Sequence, residues 1–345
     1  MNENQKPHIA IVGAGAIGSL LGGVLAKNDE NVTLIGKQAH VETIRQKGLA
    51  VDGAAGDFTV PIKASELLDF KPDIVFIAVK TQDVEQTCRE IKSNIGNIPI
   101  VMMQNGVIST QIAGSIFGKE NIIGCTIMLN ARFQQPGVVS YINESPIVIG
   151  KVFSKNDAQV MEIQSYLNQL APTEVSENIV GVQWSKLFVN ALSNALDGMT
   201  GLSMGEYIQY ANLRKIGILI LKEAMTLVEK ANIKLEPLPE IPLSIFRFLV
   251  SLPLYISAWL LKYVMLAKGN DNIITSTLQS LKKGKPTEID YLNGEFVRLG
   301  EQIGFPTPYN SMVVKLIHNI ERSGSFYSPE ELSELFLSSK NKNEL

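Results

Sequence analysis

Two hydrophobic rhythms run along the chain, and one gives way to the other at about residue 150. In the first half, short continuous apolar runs alternate with stretches of helical spacing. The segment "HIAIVGAGAIGSLLGGVLAKNDENVTLIGK" reads as a buried strand, a glycine turn, a helix and a second strand. Apolar runs at 73–80 and 98–106 predict further strands, ending in Lys80–Thr81–Gln82 and Gln104–Asn105–Gly106. Past residue 150 the spacing predicts a connecting helix over 155–171, then long helices over 210–232, 270–282, 287–304 and 307–321. "LEPLPEIPLS" is a proline-broken link between them.

One helical run stands apart. "WSKLFVNALSN", residues 184–194, is apolar except for a polar residue at every fourth place: Lys186, Asn190 and Asn194. At about 100° per residue these three fall along one gently drifting stripe. A stripe that only meets water usually mixes charges in Glu–Lys pairs, not one cation with two amides.

Between the first strand and its helix lie Gly13, Gly15 and Gly18, in "GAGAIG". Gly13 permits a tight turn, Gly15 lets a pyrophosphate approach the backbone, and Gly18 seats the helix close on the sheet. The backbone of Gly13, Ala14, Gly15, Ala16, Ile17 and Gly18 then meets the phosphates at the helix N-terminus. The second strand chooses the cofactor. An NAD site usually has Asp or Glu at its end, for the ribose hydroxyls. Here Lys37 stands there, with no carboxylate before Glu42, which favours a 2′-phosphate and hence NADPH/NADP+. Ligands of such sheets sit beyond the carboxyl ends of the strands, which places Lys80 and Asn105 beside them. The expected fold class is α/β: an N-terminal Rossmann-type dinucleotide-binding domain over 1–171, followed by an all-α C-terminal domain over 172–345.

Charge adds little attraction for large partners. With 31 basic and 34 acidic residues well mixed, the net charge of −3 gives no pull towards nucleic acid, and any anion site must be local. Two widely separated cysteines, Cys88 and Cys125, make no disulfide framework or metal-ligand spacing, and a reducing, cytoplasmic setting is expected. "MNENQK" is polar and carries no signal segment, so the terminal "KNEL" is taken as chance. The most apolar stretch, 241–269, has 14 uncharged residues between Arg247 and Lys262 and is broken by Pro253. A spanning helix needs about 18–20. Packed core or subunit contact is expected, in a monomer or homodimer, with peripheral membrane contact left open.

"VGAGAIG", "VKTQ", "QNGV", "WSKLFVNALSN" and "TEIDYLNGE" occur in this order. In these motifs the chain resembles the ketopantoate reductases (2-dehydropantoate 2-reductases) from about residue 8 to 325. The resemblance implies reduction of a 2-oxo acid by NADPH, with Lys186 as catalytic acid. It also implies Glu288 as the acidic partner of Lys186, contributing to the cofactor site as well. Asn190, Asn194 and Ser276 match substrate-binding residues, Asn105 matches a cleft residue shared by substrate and cofactor, and Lys80 matches a cofactor residue. No metal is implied. Thr275 and Thr277 flank Ser276 and compete with it for the assignment. The chain departs from compact members in its longer apolar insertion, its extended tail, and Asp83 after "KTQ". Related 2-oxo acid reductases share the wider pattern, so a D-2-hydroxyacid dehydrogenase acting on branched or aromatic 2-oxo acids stays in view. So does a non-catalytic NADPH sensor, which would need the glycines but not the lysine stripe.

Overall fold

The computed structural model describes residues 6–54, 56–239, 243–266 and 274–337, and the chain divides into two compact units, Met1–Gln183 and Trp184–Leu345. In the first, the fully buried Ile9–Val12 forms β1 and Ala16–Lys27 forms α1 after the glycine turn. Val32–Ile35 (β2), Gln38–Lys47 (α2), Leu49–Gly53 (β3), Phe58–Val60 (β4) and Lys63–Ser65 (β5) follow. Next come Ile74–Ile77 (β6), Val84–Ile91 (α3), Ile100–Met102 (β7), Ile108–Phe117 (α4) and Ile122–Ile127 (β8). Asn130–Gln135 (β9), Val138–Asn143 (β10), Ile147–Lys151 (β11), Ala158–Leu167 (α5) and Thr173–Val175 (β12) complete the unit.

The main sheet runs β12-β11-β8-β7-β6-β1-β2-β5, and its stretch from β5 to β8 is wholly parallel. This is the doubly wound order of a dinucleotide-binding sheet. β1 is the switch point, with β2 on one side and β6 on the other. A crevice therefore opens beyond their carboxyl ends.

Two features depart from the expected rhythm. The predicted helix over 155–171 is shorter, because α5 stops at Leu167 and the chain turns back to add β12 alongside β11. Asn168 fixes the turn by accepting a hydrogen bond from the Thr173 amide (2.9 Å). The first unit thus extends past residue 171. The second feature is a separate sheet, β4-β3-β10-β9, which the apolar rhythm does not announce. It covers the far side of α1: a Cβ on Gly22 would come within 2.6 Å of Leu34 in β2, and one on Gly23 within 2.8 Å of Val51 in β3. The helix is therefore apolar on nearly every face because it lies between two sheets. His40, one of the scattered histidines, is buried structure here. Its Nδ1 accepts from the Gly137 amide (2.8 Å) and its Nε2 pairs with Ser19 Oγ (3.0 Å).

Ile179–Thr200 (α6) carries the chain into the second unit. That unit also holds Met204–Tyr207 (α7), Ala211–Lys230 (α8), Leu243–Ser251 (α9), Leu254–Leu266 (α10), Ser276–Lys282 (α11), Asn293–Ile303 (α12), Pro308–Ser323 (α13) and Pro329–Leu337 (α14). α8 packs against α9, α10, α12, α13 and α14. The apolar segment breaks at Pro253, between α9 and α10, and no described helix is long and apolar enough to cross a membrane. Of the predicted helix 270–282, residues 276–282 are helical, Thr275 is their N-cap, and 270–273 lie outside the described residues. The predicted helix over 287–304 begins late: Ile289–Tyr291 is a single 3-10 turn, and α12 starts at Asn293.

Candidate active site

Residues expected to serve the reaction lie in both units, and each group has its own geometry. In the first unit, the amides of Gly13 and Ala14 both donate to the Ile35 carbonyl at the end of β2 (2.9 Å each), which pins the glycine turn over the switch point. Gly13 has φ +108°, and a Cβ there would lie 2.5 Å from the Val79 amide nitrogen. A Cβ on Gly18 would lie 2.2 Å from the Gly13 carbonyl oxygen. Gly15 is different: it is exposed, and a Cβ there would meet nothing within 4 Å. Two glycines are thus required by the protein's own packing, and the third borders open space. Gly15 is also the N-cap of α1 and offers no side-chain cap. The first-turn amides beside half-buried Ala14, Ala16 and Ile17 suit an anion. These residues fit a dinucleotide pyrophosphate.

Lys37 is exposed two residues beyond Ile35 and forms the N-cap of α2, next to the strand end that holds the glycine turn. Lys80 and Asn105 each lie three residues past the end of a strand, β6 and β7. Sequence reasoning treated Gln104 as turn chemistry, yet its buried Nε2 donates to the carbonyls of Ile77 (2.8 Å) and Val79 (3.0 Å). Gln104 ties the two strand ends together and so positions both Lys80 and Asn105. Thr81 Oγ1 adds a contact to the Asn105 carbonyl (3.4 Å).

In the second unit, Lys186 and Asn190 are half-buried and Asn194 is buried on α6. Their helix is anchored by Trp184 and Phe188, which both meet the Phe296 ring of α12 edge-on, with centroids 5.4 Å apart. Asn194 Oδ1 accepts from the Thr277 amide (3.3 Å) and from Ser276 Oγ (3.5 Å), so Ser276 and the stripe are brought together. Ser276 is exposed while Thr277 is buried, which separates Ser276 from that neighbour. Glu288 is half-buried on the turn before α12. That turn is tied to α6 by buried Asn293, whose Nδ2 donates to the Ala191 carbonyl (3.1 Å) and to Asn310 Oδ1 (2.9 Å). Asn310 in turn donates to Glu223 of α8 (2.7 Å), which also takes the first amides of α13.

The stripe continues one place further than expected. Asp197, only 1% exposed, accepts from the Thr275 amide (2.6 Å) and from Thr275 Oγ1 (2.8 Å). Asn194 and Asp197 together hold the start of α11, where Ser276 sits. The signal was available, since Asp197 follows Asn194 at i+3 on the same face. Burial pushes the Asp197 carboxyl up to about 7, against the opposing pull of the Thr275 hydrogen bonds. The folded value lies above the unfolded one, so the stability it favours is full below the unfolded pKa and is lost as pH rises through about 7. Buried Glu223 is shifted the same way. The expected result is a melting temperature that falls between about pH 5 and pH 8, with a shallower fall in Asp197→Asn. An identical slope in the variant would assign the pH dependence elsewhere.

A doubly wound sheet with a glycine turn at its switch point, joined to a helical unit bearing a lysine–asparagine stripe, defines a dinucleotide-dependent oxidoreductase. Family comparison makes this specific. A family model described as "Ketopantoate reductase PanE/ApbA" matches residues 9–153, and its C-terminal counterpart matches residues 178–321. The chain belongs to the ketopantoate reductase family. It is 28% identical to a 2-dehydropantoate 2-reductase of Pyrococcus horikoshii, over 92% of this chain and 98% of that one. With the Aquifex aeolicus enzyme of that name it shares 26% identity, over 89% and 94%. Among solved structures, a PanE/ApbA family ketopantoate reductase from Ralstonia eutropha superposes with a TM-score of 0.78 at 26% identity, covering 92% of this chain and 99% of that one. A D-mandelate dehydrogenase solved with NADH and anilino(oxo)acetate shares the fold, with a TM-score of 0.79 at 24% identity over 92% and 99%.

Proposed function

We propose that the chain catalyses the NADPH-dependent reduction of 2-dehydropantoate (ketopantoate) to D-pantoate, a step of pantothenate biosynthesis. The observation that carries this reading is the single face of α6 bearing Lys186, Asn190 and Asn194, with Ser276 hydrogen-bonded to Asn194 and the Glu288 turn tied to the same helix through Asn293. Relatives named 2-dehydropantoate 2-reductase along nearly their whole length support it.

NADPH, when bound, supplies the hydride that reduces the 2-oxo carbon. The glycine turn and the first amides of α1 take its pyrophosphate, Lys37 its 2′-phosphate, and Lys80, Asn105 and Glu288 its ribose and nicotinamide end. Lys186, as an ammonium, donates a hydrogen bond to the carbonyl oxygen of the substrate and then its proton, so that oxygen ends as the 2-hydroxyl. The lysine regains its proton from solvent. Glu288 holds the ammonium in place. Asn194 accepts from Thr277 through Oδ1, so its amide N–H groups are the donors for the carboxylate end of the substrate. Ser276 Oγ assists there, and Asn190 lies one turn closer to Lys186, suited to the 4-hydroxyl.

The test is nicotinamide absorbance with purified protein, NADPH and ketopantoate, with D-pantoate identified as product. Tight NADPH binding without turnover of any 2-oxo acid would make the chain a sensor instead. The cofactor assignment has its own check. Lys37→Glu is expected to raise KM for NADPH by about tenfold or more and to leave that for NADH nearly unchanged, the size of one lost charge-assisted contact. Equal weakening of both would remove Lys37 from the 2′-phosphate.

A further inference from the structure

The hairpin of α9 and α10 presents a surface that the proposed reaction does not use. On α10, Tyr255, Ile256, Trp259 and Tyr263 are all exposed, Trp259 by 56%. At 100° per residue they fall within about one 100° arc. Ser257, Ala258 and Leu261 fill the opposite arc and are buried. The inner arc has its partner: Arg214 of α8 donates to the Ala258 carbonyl (2.9 Å), and Lys222 of α8 to the Leu252 carbonyl (2.7 Å). The outer arc is a contiguous apolar and aromatic face, continued on α9 by exposed Phe248. Trp259 and Tyr263 stack edge-on at 4.9 Å, so the face is ordered side by side.

The charges around it have one sign. From Ile241 to Asn270 the sequence has no Asp or Glu, but it has Arg247, Lys262 and Lys268, in a chain whose net charge is negative. Arg247 is exposed on the outer arc of α9 beside Phe248, and Lys215 of α8 lies over the Tyr255 ring at 4.3 Å. A second copy of this face would set cations against cations with no carboxylate to meet them. Anionic lipid headgroups complement it, and Trp and Tyr are the side chains that settle at the level of those headgroups. Neither helix can span a bilayer, and both have the length to lie along its surface.

We infer that the outer face of the α9–α10 hairpin docks the protein peripherally on an anionic lipid surface, with Tyr255, Ile256, Trp259 and Tyr263 entering the headgroup region and Arg247 and Lys262 pairing with lipid phosphates.

The chain carries its own probe. Its two tryptophans are Trp184, buried in the helical core, and Trp259, on the docking face. The experiment adds full-length protein to vesicles of phosphatidylcholine with and without phosphatidylglycerol, and follows tryptophan emission and co-sedimentation. The expected result is a blue shift and co-sedimentation with the anionic vesicles, weakened by high salt. Arg247→Gln and Lys262→Gln should each lower partitioning by about fivefold. Trp259→Ser with Tyr255→Ser should abolish it while the melting temperature and sedimentation coefficient of the free protein hold. Failure to bind anionic vesicles would overturn the inference. So would a lipid-free dimer, seen by sedimentation and lost in the Trp259→Ser, Tyr255→Ser variant, since the face would then belong to a second copy.

Discussion

Replacing Lys186 with alanine is expected to lower kcat with ketopantoate by about 10²–10⁴, the usual cost of removing a positioned general acid. The size follows from what the side chain must do at once. Negative charge builds on the carbonyl oxygen as the carbon is reduced, and only the Lys186 ammonium among the three stripe residues can both neutralise that charge and deliver a proton. Asn190 and Asn194 can donate hydrogen bonds but cannot protonate. NADPH affinity is expected to stay within about twofold of the wild type, because the residues assigned to the cofactor phosphates lie in the other compact unit. The fold should survive as well. Lys186 is half-buried, and the contacts anchoring α6 to α12 are made by Trp184 and Phe188 on either side of it. A variant that keeps wild-type kcat would remove Lys186 from the chemistry.

The second large effect separates two glycines that look alike in the sequence. Gly13→Ala places a side chain on a backbone with φ +108° and drives its Cβ to 2.5 Å from the Val79 amide and 2.6 Å from the Ala78 carbonyl carbon. The conformational strain costs about 1–3 kcal/mol, and the overlap about as much again. A large fall in melting temperature is expected, together with loss of NADPH binding. Gly15→Ala meets no neighbour, and its backbone at φ −83° is open to any residue. Its stability should match the wild type within about 0.5 kcal/mol. The added methyl nevertheless occupies the space through which a pyrophosphate reaches the backbone, so Kd for NADPH should rise at least about tenfold. Calorimetry and a binding titration on the same samples distinguish the two. A Gly15→Ala protein that binds NADPH normally would place the phosphates elsewhere.

The parts of this protein that could be read from its sequence are those in which one residue type has one physical use at one spacing. The glycine turn is legible because a tight turn, an open approach and a close helix seat each exclude a side chain for a different reason, and all three reasons recur in the structure or its open space. The α6 stripe is legible because an apolar helix has no other need for polar residues at i, i+4 and i+8. Its extension to Asp197 was within reach by the same argument. The break of the apolar segment at Pro253 follows from the ring that proline carries.

What escaped was whatever depends on distant segments meeting. The second sheet is built from strands of three to six residues, and β3 finds its parallel partner β10 across most of the first unit. Gln104 has the composition of a turn, and only the side-by-side ends of β6 and β7 give it a structural task. The relay from Ala191 through Asn293 and Asn310 to Glu223 needs four helices to converge before any of its polar residues has a purpose. The same holds for the α9–α10 hairpin. Its apolar composition is plain in the sequence, but which arc faces α8 and which faces outward emerges only once the helices are packed.

The most direct test of the proposed activity is the ratio of kcat/KM for ketopantoate to that for its analogue lacking the 4-hydroxyl, measured with NADPH in wild type and in Asn190→Ala. If the α6 stripe reads that hydroxyl, ketopantoate is favoured by about a hundredfold or more, and the variant loses most of the preference while still reducing the analogue. A wild-type enzyme that turns over the analogue, or a bulkier branched or aromatic 2-oxo acid, as well as ketopantoate would contradict the assignment.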